Sequence, residues 1–386
     1  MILASTNSSP DSPGPTLKEA SAAGDRPGQF SALVALMTYA LCCVTFIAVI
    51  TFFRDFWEVS ARFGDNAAYL TIARAALHGR FSGPDLEPIR NYYRGTGYCV
   101  ALVSKLTTLS PARCLPILGI LCGGVAVFLC GRLWGWRVAT LFAFLNIVYT
   151  QRLCLGGCEP FFVLFLFASL LLWKGDHPVS AMACAALATT VRPTGIFLLV
   201  ALGVVLAWHR RWRKLLWGTL VAAALGALYL APMVFAARNN MAPLTGYADD
   251  WNTSSPISVP FYPLFLGAVR SDYGWAFHLK ICFYILLTLF GAVTLWRRRR
   301  EAFAHPAEQV QSLFFLLFAA FCVSYNSDFA YDEFPRFIAP LVPQSVLDVR
   351  SRYLQSWVMW PLSALAGMLS AASALNVYVV YHLLVH

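Results

Sequence analysis

Long runs of apolar residues, separated by short basic clusters, constrain the fold of this chain more than any other feature. The hydrocarbon core of a bilayer is about 30 Å thick, and an α-helix crosses it with roughly 20 apolar residues. Such runs must be helical, because backbone polar groups cannot be left unpaired in lipid. The content of 59% hydrophobic and 12% charged residues, with a mean hydropathy of +0.62, excludes an ordinary soluble domain. The chain is therefore predicted to be an all-α polytopic membrane protein.

The apolar runs predict about 11 membrane-spanning helices, within a range of roughly 9 to 13. They cover residues 31–53, 114–131, 137–153, 160–173, a hairpin over 179–208, and then 215–237, 276–296, 310–325, 337–347 and 357–381. Two amphipathic stretches, 65–77 and 97–109, are too short to span and are predicted to be interfacial helices. Residues 1–30 lack hydrophobic periodicity, which predicts a disordered cytoplasmic tail. Residues 31–386 are predicted to form a single transmembrane domain.

Basic residues gather in one set of loops and predict the orientation of the chain. The clusters are Arg132 with Arg137, Lys174, residues 209–214, residues 297–300, and Arg350 with Arg352. The positive-inside rule places these loops on the cytoplasmic side, so the formal net charge of +10 reflects topology and not a nucleic-acid partner. The segments that then face the outside are 54–111, which is the first external loop, 156–159, 238–275 and 326–336, with the turn at Arg192.

The eleven cysteines do not predict a metal site. Most lie inside apolar runs, and no CxxC pair or His-rich cluster has the spacing of a zinc or haem site. Cys154 and Cys158 flank a Gly-Gly turn, where they form either a disulfide or two packed apolar thiols. We expect neither a metal nor a cofactor.

Two carboxylates occupy positions where they could take part in catalysis. Asp65 lies at the start of an amphipathic stretch, four residues before Tyr69, and is interpreted as a general base. Its alternative is a helix N-cap that accepts backbone N–H bonds. Glu159 opens an apolar helix, so its carboxylate either stabilises the positive end of that helix or belongs to an active site.

Two arginines are candidates for binding an anion. Arg192 lies between two apolar half-helices, where a charge is costly and is normally kept for pairing or for a substrate anion. We interpret it as a phosphate contact, with a salt bridge to Glu159 or Asp65 as the alternative. Arg336 lies close to Asp332 and Glu333 and either binds the same phosphate or pairs locally.

Several motifs follow one another between residue 31 and about residue 345. They are Asp65 with Tyr69, residues 97–106 after the first external loop, the short basic turn 131–137, Glu159-Pro160, Arg192-Pro193, and Arg336-Phe337 followed by Pro340. In this order they resemble the GT-C superfamily, the polytopic glycosyltransferases that take a sugar from a polyprenyl-phosphate carrier. Many members have a second acidic residue beside the first, whereas here the neighbour is Asn66.

The resemblance implies a GT-C-like fold and an inverting hexosyltransferase, with mannose as one candidate sugar. Asp65 and Glu159 would be its catalytic residues, and the single transmembrane domain would be the catalytic domain. Its partners would be a polyprenyl-phosphate-linked sugar donor, a lipid or glycan acceptor, and membrane lipids. The expected location is the bacterial inner (plasma) membrane, with the active site on the periplasmic or external side.

Further external residues are candidates for substrate binding. Arg90, Tyr92, Tyr93 and Arg94 could line the entrance for the head group of the donor, or hold the loop against anionic lipid. Asp249 and Asp250 offer carboxylates for sugar recognition, or belong to a solvated acidic loop. Tyr69 is the aromatic residue that accompanies the proposed base.

Other functional classes also fit parts of the pattern. A transporter or flippase of an anionic lipid-linked sugar would likewise use intramembrane arginines and helix breaks at Pro and Gly. No internal repeat pairs the two halves of the chain, and a long first external loop is unexpected in a simple carrier. An inactive accessory membrane subunit is the third possibility.

Overall fold

The protein is described by a computed structural model over residues 29–81, 85–86, 89, 92–236, 257–270, 274–325, 330–347 and 356–385. Every regular element in these ranges is a helix, apart from one isolated bridge between Ile257 and Tyr325. This confirms the predicted all-α class. The tail over residues 1–28 and the predicted residues Arg90, Asp249, Asp250, Arg350 and Arg352 lie outside the described ranges.

The first half of the described chain contains one long helix, a group of short external helices, and a set of packed apolar helices. They are α1 (Gln29–Phe53), α2 (Phe56–Arg62), α3 (Asn66–Leu77), α4 (Gly95–Thr107), α5 (Pro111–Trp134), α6 (Trp136–Leu145), α7 (Ile147–Leu155), α8 (Glu159–Lys174), α9 (Pro178–Val191) and α10 (Ile196–Trp208). Helices α3 and α4 correspond to the two predicted interfacial helices. Helix α2 was not predicted, and Asp55 starts it by accepting a hydrogen bond from the backbone N–H of Trp57.

The second half supplies the remaining long helices and a broken segment. The helices are α11 (Trp212–Ala236), α12 (Tyr262–Arg270), α13 (Trp275–Arg297), α14 (Arg299–Ala302), α15 (Pro306–Ser324), α16 (Ala330–Phe337), α17 (Val342–Ser345) and α18 (Ser356–Val385). The predicted span over residues 337–347 is wrong. A 3₁₀ turn and a single helical turn occupy that stretch, because Pro340 and Pro343 interrupt backbone hydrogen bonding.

Six helices in the described ranges are long and apolar enough to cross a membrane. The number is seven if α6 and α7, which meet at a bend of 81°, form one span. Asn146 interrupts this pair, so the continuous helix predicted over residues 137–153 is wrong. Helices α9 and α10 are shorter apolar pieces on either side of Arg192. The predicted count of about 11 spans is therefore not confirmed.

The described loops that carry basic residues lie at one end of the helix bundle. There, Lys174 donates to the Leu133 carbonyl at 3.4 Å, and the Trp173 ring N–H donates to the Pro306 carbonyl at 3.0 Å. Helix α8 has 16 residues and is about 24 Å long, with Glu159 at one end and Lys174 at the other. Beyond Lys174, Asp176 forms ion pairs with Arg211 at 2.8 Å and Lys214 at 3.1 Å. The basic loops thus lie at the end of α8 opposite to Glu159. We call this end the basic end.

Candidate functional site

Arginines and carboxylates from five parts of the chain form an ion network at the end of the bundle opposite to the basic end. Its members are Asp65, Arg152, Glu159, Arg192, Glu333 and Arg336. The three guanidinium groups and the three carboxylates balance in formal charge. Of these residues, Asp65, Glu159, Arg192 and Arg336 were predicted site residues, and the structure brings all four together.

Arg336 is the centre of the ion network. Its Nε donates to Glu159 Oε1, its Nη1 donates to Glu333 Oε2, and its Nη2 lies 2.8 Å from Asp65 Oδ2. The side chain is only 9% exposed. The local pairing considered for Arg336 is present, since it contacts Glu333, and the guanidinium also reaches two carboxylates that are distant in sequence. Its contact with a phosphate stays a prediction.

Glu159 and Arg192 form the buried side of the network. Glu159 Oε1 lies 3.6 Å from Arg192 Nη1, and the two side chains are 2% and 11% exposed. The guanidinium of Arg192 also lies over the rings of Phe337, at 4.7 Å, and Phe162, at 5.8 Å. The salt bridge considered as an alternative for Arg192 is therefore present. Within the described residues, Glu159 Oε2 has no hydrogen-bond partner and can accept one from a ligand.

Asp65 is the most exposed carboxylate of the network, at 28%. It occupies the N-cap position of α3 but makes no side-chain capping bond, so the capping interpretation is wrong. Gly64 turns the chain ahead of it with a φ of +51°, a backbone conformation that glycine adopts without strain. The Tyr92 hydroxyl lies 3.4 Å from Asp65 Oδ1. Asp65 is thus held by contacts to its side chain and remains accessible to a substrate.

The predicted tyrosines differ in their surroundings. Tyr69 is 5% exposed and packs edge-on against Tyr92 with 6.2 Å between ring centroids. Burial raises the pKa of the Tyr69 hydroxyl well above its ordinary value, so the phenol stays neutral and can donate a hydrogen bond. Tyr93 is half-buried at the edge of the same region.

Arg152 belongs to the ion network although it was not predicted. Its Nη2 lies 3.6 Å from Glu333 Oε1, and its guanidinium lies 5.0 Å from the ring centroid of Phe63, two residues before Asp65. A methyl group on Gly64 would come within 2.8 Å of Arg152 Nη1. Arg152 therefore supports the turn that carries Asp65. An arginine inside an apolar run was its sequence signal, as for Arg192.

Asn66 fixes the start of α3 to the rest of the protein. It is fully buried, and its amide nitrogen donates to the backbone carbonyls of Ser60 and Leu155, each at 2.7 Å. A carboxylate at this position could not donate to two carbonyls. An asparagine at position 66 therefore makes two contacts that a second acid beside Asp65 could not make.

We expect Asn66→Asp to destabilise the protein more than Asn66→Ala. The alanine variant loses two hydrogen bonds, at a cost of about 2 kcal/mol, although the Leu155 carbonyl keeps the Ser60 hydroxyl and the Ser60 carbonyl keeps the Phe63 N–H. The aspartate variant would also bury a charge against those carbonyls and should cost about 3–5 kcal/mol. Unfolding measured in mixed micelles, with Thr71→Ala on the same helix as control, tests this order. Equal stability of the two Asn66 variants would contradict it.

Arg94 lies in a second buried position, at the start of α4. It is 5% exposed, its Nη1 donates to the carbonyl of Phe81 at 2.6 Å, and its backbone N–H donates to the Tyr229 hydroxyl at 2.9 Å. Its Nε has no partner, and no carboxylate in the described ranges pairs with it. Because a buried charge without a counter-ion is costly, the surroundings of Arg94 suit an anionic ligand.

The start of α4 lies close to the arginine turn between α9 and α10. A methyl group on Gly95 would come within 2.5 Å of the Thr190 carbonyl, two residues before Arg192. Only glycine permits this approach of the two backbones. Arg94 and the ion network are therefore neighbouring parts of the same end of the bundle.

The cysteines in the described ranges are all free, including Cys154 and Cys158. The disulfide interpretation of this pair is therefore wrong: both thiols are buried, and Cys158 Sγ lies 3.8 Å from Arg336 Nη2. The described residues contain no group of three or more His, Cys, Asp or Glu side chains arranged to hold a metal ion.

The structure resembles the crystal structure of ArnT from Cupriavidus metallidurans bound to undecaprenyl phosphate, with a TM-score of 0.50 and 15% sequence identity. The similarity covers 83% of this chain and 61% of ArnT, so the chain spans less than two thirds of that protein. ArnT is a GT-C glycosyltransferase, and the shared fold confirms the GT-C-like fold expected from the motifs. The sequence matches no protein-family model and no curated protein.

Proposed function

We propose that this protein is a membrane glycosyltransferase that moves a sugar from a polyprenyl-phosphate carrier to a hydroxyl of a lipid or glycan acceptor. The observation that carries the proposal is the pairing of Asp65 with Arg336 at 2.8 Å on a GT-C fold. It places a carboxylate that can take a proton beside a cation that can bind a phosphate. The sugar is a hexose in this proposal, with mannose as a candidate.

The reaction follows from the chemistry of these groups. The acceptor hydroxyl gives its proton to Asp65 and its oxygen forms a bond to the anomeric carbon of the sugar. The bond between that carbon and the carrier phosphate breaks, and the electron pair goes to the phosphate oxygen. Attack from the face opposite to the phosphate inverts the anomeric configuration. The products are a glycoside and a polyprenyl phosphate that has gained negative charge.

Arg336 couples the two halves of this reaction. Its Nη2 donates to Asp65 Oδ2 at 2.8 Å. Once Asp65 has taken the proton, it attracts the guanidinium less, while the departing phosphate gains charge at the same step. Arg336 can then turn to the phosphate without leaving Glu159 and Glu333 unpaired. A cation aimed at charge that develops in the transition state lowers the barrier more than one paired only in the ground state.

Two other arginines, Arg94 and Arg192, are proposed to bind the phosphate of the donor. Arg94 has no counter-ion in the described part of the chain and is proposed to bind the phosphate before the reaction. Arg192 lies beside Glu159 in the more buried part of the site and is proposed to contact the same phosphate. Glu159, with its unpartnered Oε2, is proposed to accept a hydrogen bond from a sugar hydroxyl. The predicted role of Arg90 at the entrance for the donor's head group, and that of Asp249 and Asp250 in sugar recognition, remain part of the proposal.

The proposal places the reaction at the external face of a bacterial inner membrane. Support comes from the positions of the charges, since the ion network and the basic loops lie at opposite ends of α8. The positive-inside rule assigns the basic end to the cytoplasm. The acceptor and donor would then meet on the periplasmic side.

A donor panel tests the reaction class directly. The purified protein is incubated in proteoliposomes with radiolabelled polyprenyl-phosphate sugars, and the label in water-soluble and lipid products is followed. We expect transfer or slow hydrolysis from one donor. Movement of intact donor across the membrane, with no cleavage of the sugar-phosphate bond, would favour the flippase.

We expect Arg94→Gln to weaken donor binding more than catalysis. A hydrogen bond to a charged group contributes about 1.5–3 kcal/mol, so the KM for the donor should rise roughly 10- to 100-fold with a smaller change in kcat. Arg80→Gln is the matched control, because Arg80 lies in the same loop but is 61% exposed and pairs only at 3.8 Å with Asp85. An equal effect of both variants on KM would argue against a phosphate contact at Arg94.

A further inference from the structure

A groove at the basic end of the bundle combines apolar walls with arginines. It is formed where α13 ends, α14 turns the chain, and α15 runs back, and its volume is about 410 Å³. Such a volume falls within the roughly 300–1,000 Å³ of small-molecule sites. Leu295, Trp296, Phe303 and Leu316 supply apolar walls. The groove lies at the opposite end of the molecule from the ion network and belongs to no part of the proposed active site.

The cations of the groove form no ion pair with an acidic side chain among the described residues. Arg299 and Arg300 line it, and no described carboxylate forms an ion pair with either side chain. Arg299 lies over the Trp296 ring at 4.9 Å and donates to the Trp296 carbonyl at 3.3 Å. Arg300 is exposed. They belong to four consecutive arginines, 297–300, so the local potential is strongly positive.

The walls of the groove are exposed to the surroundings of the protein. Trp296 is 69% exposed, Phe303 44% and Leu316 42%. Apolar side chains with this exposure on membrane helices face lipid chains, and tryptophan is enriched at the level of the head groups. Basic pockets between transmembrane helices on the cytoplasmic side suit the head groups of anionic lipids. The groove therefore offers a place for an acyl chain beside a place for a phosphate.

We propose that this groove is a binding site for a phospholipid with an anionic head group. One acyl chain lies against Leu295, Phe303 and Leu316, and the phosphate lies between Arg299 and Arg300. The acyl chain of a zwitterionic lipid could pack against the same apolar walls. The cationic group of its head group, however, would be repelled by the arginine cluster. The site therefore selects for net negative charge in the head group.

Native mass spectrometry of the full chain, released from nanodiscs with equal amounts of phosphatidylglycerol and phosphatidylcholine, tests the proposal. We expect the intact protein to retain phosphatidylglycerol in preference to phosphatidylcholine. The double variant Arg299→Gln/Arg300→Gln should weaken this retention roughly 25-fold, since each cation near an anionic surface contributes about fivefold. The matched control Arg132→Gln/Arg213→Gln removes the same charge from exposed residues of the basic end outside the groove and should leave retention unchanged.

A second variant tests the apolar half of the site without altering its charge. Ala292 lines the groove, so Ala292→Phe should fill it and lower the retention of phosphatidylglycerol with all arginines present. Equal loss in the groove variant and the control variant would overturn the proposal, since it would assign the preference to the overall charge of the basic end. A dimer that dissociates on Ala292→Phe with unchanged lipid retention would also overturn it and assign the groove to a second copy of the chain. Neither readout depends on glycosyltransferase activity.

Discussion

Asp65→Asn should reduce sugar transfer by about 10²–10⁴-fold, because a positioned general base contributes that much and an amide cannot take the proton of the acceptor. The substitution keeps the size of the side chain and a hydrogen-bond acceptor toward Arg336. Donor binding should therefore change little. The rate of transfer, measured with donor in excess, separates the loss of the base from a loss of binding.

The control for this variant lies in the same external loop. Asp85 is 74% exposed and pairs with Arg80 at 3.8 Å, so Asp85→Asn makes the same chemical change away from the ion network. It should leave transfer unchanged. If the Asp65→Asn variant retains a tenth or more of the wild-type rate of transfer, Asp65 is not the general base. A carrier protein should keep most of its flux in both variants.

Arg336→Gln should destabilise the protein by about 3–5 kcal/mol, because it leaves a buried carboxylate without its main partner. Glu159 is 2% exposed and, among the described residues, would keep one ion-pair partner, Arg192 at 3.6 Å. Glu333 and Asp65 lose a partner as well, which raises the negative charge of the site. Unfolding in mixed micelles measures this loss. Transfer should also fall in the variant, since the cation proposed to receive the phosphate is gone.

A second substitution distinguishes charge imbalance from lost packing. Glu159→Gln/Arg336→Gln removes both charges of the central pair, and it should be less destabilised than Arg336→Gln alone. Asp176→Asn breaks an ion pair at the basic end whose acidic side chain is 66% exposed, and exposed pairs contribute about 0–1 kcal/mol. If the double variant is the least stable of the three, the stability of this region does not come from charge balance.

Local sequence patterns located most of the long helices. Hydropathy predicted a span over residues 215–237, and α11 covers Trp212–Ala236. It failed over 337–347, where the apolar residues form turns because prolines break the helix. It also failed at Asn146, where one predicted helix is two. Hydropathy measures the preference for lipid, and it does not report where the backbone can remain helical.

The sequence by itself determined that this is an all-α membrane protein and singled out Asp65, Glu159, Arg192 and Arg336. These properties are local, since each depends on the apolar or charged character of a short stretch of chain. Only the tertiary structure decided which charges pair. Arg336 reaches Glu159 and Asp65 across 177 and 271 positions of sequence, and it is joined by Arg152, which had not been singled out. Those contacts depend on how the helices pack, because a charge near the end of a buried helix takes whatever partner the neighbouring helices bring within a few ångströms.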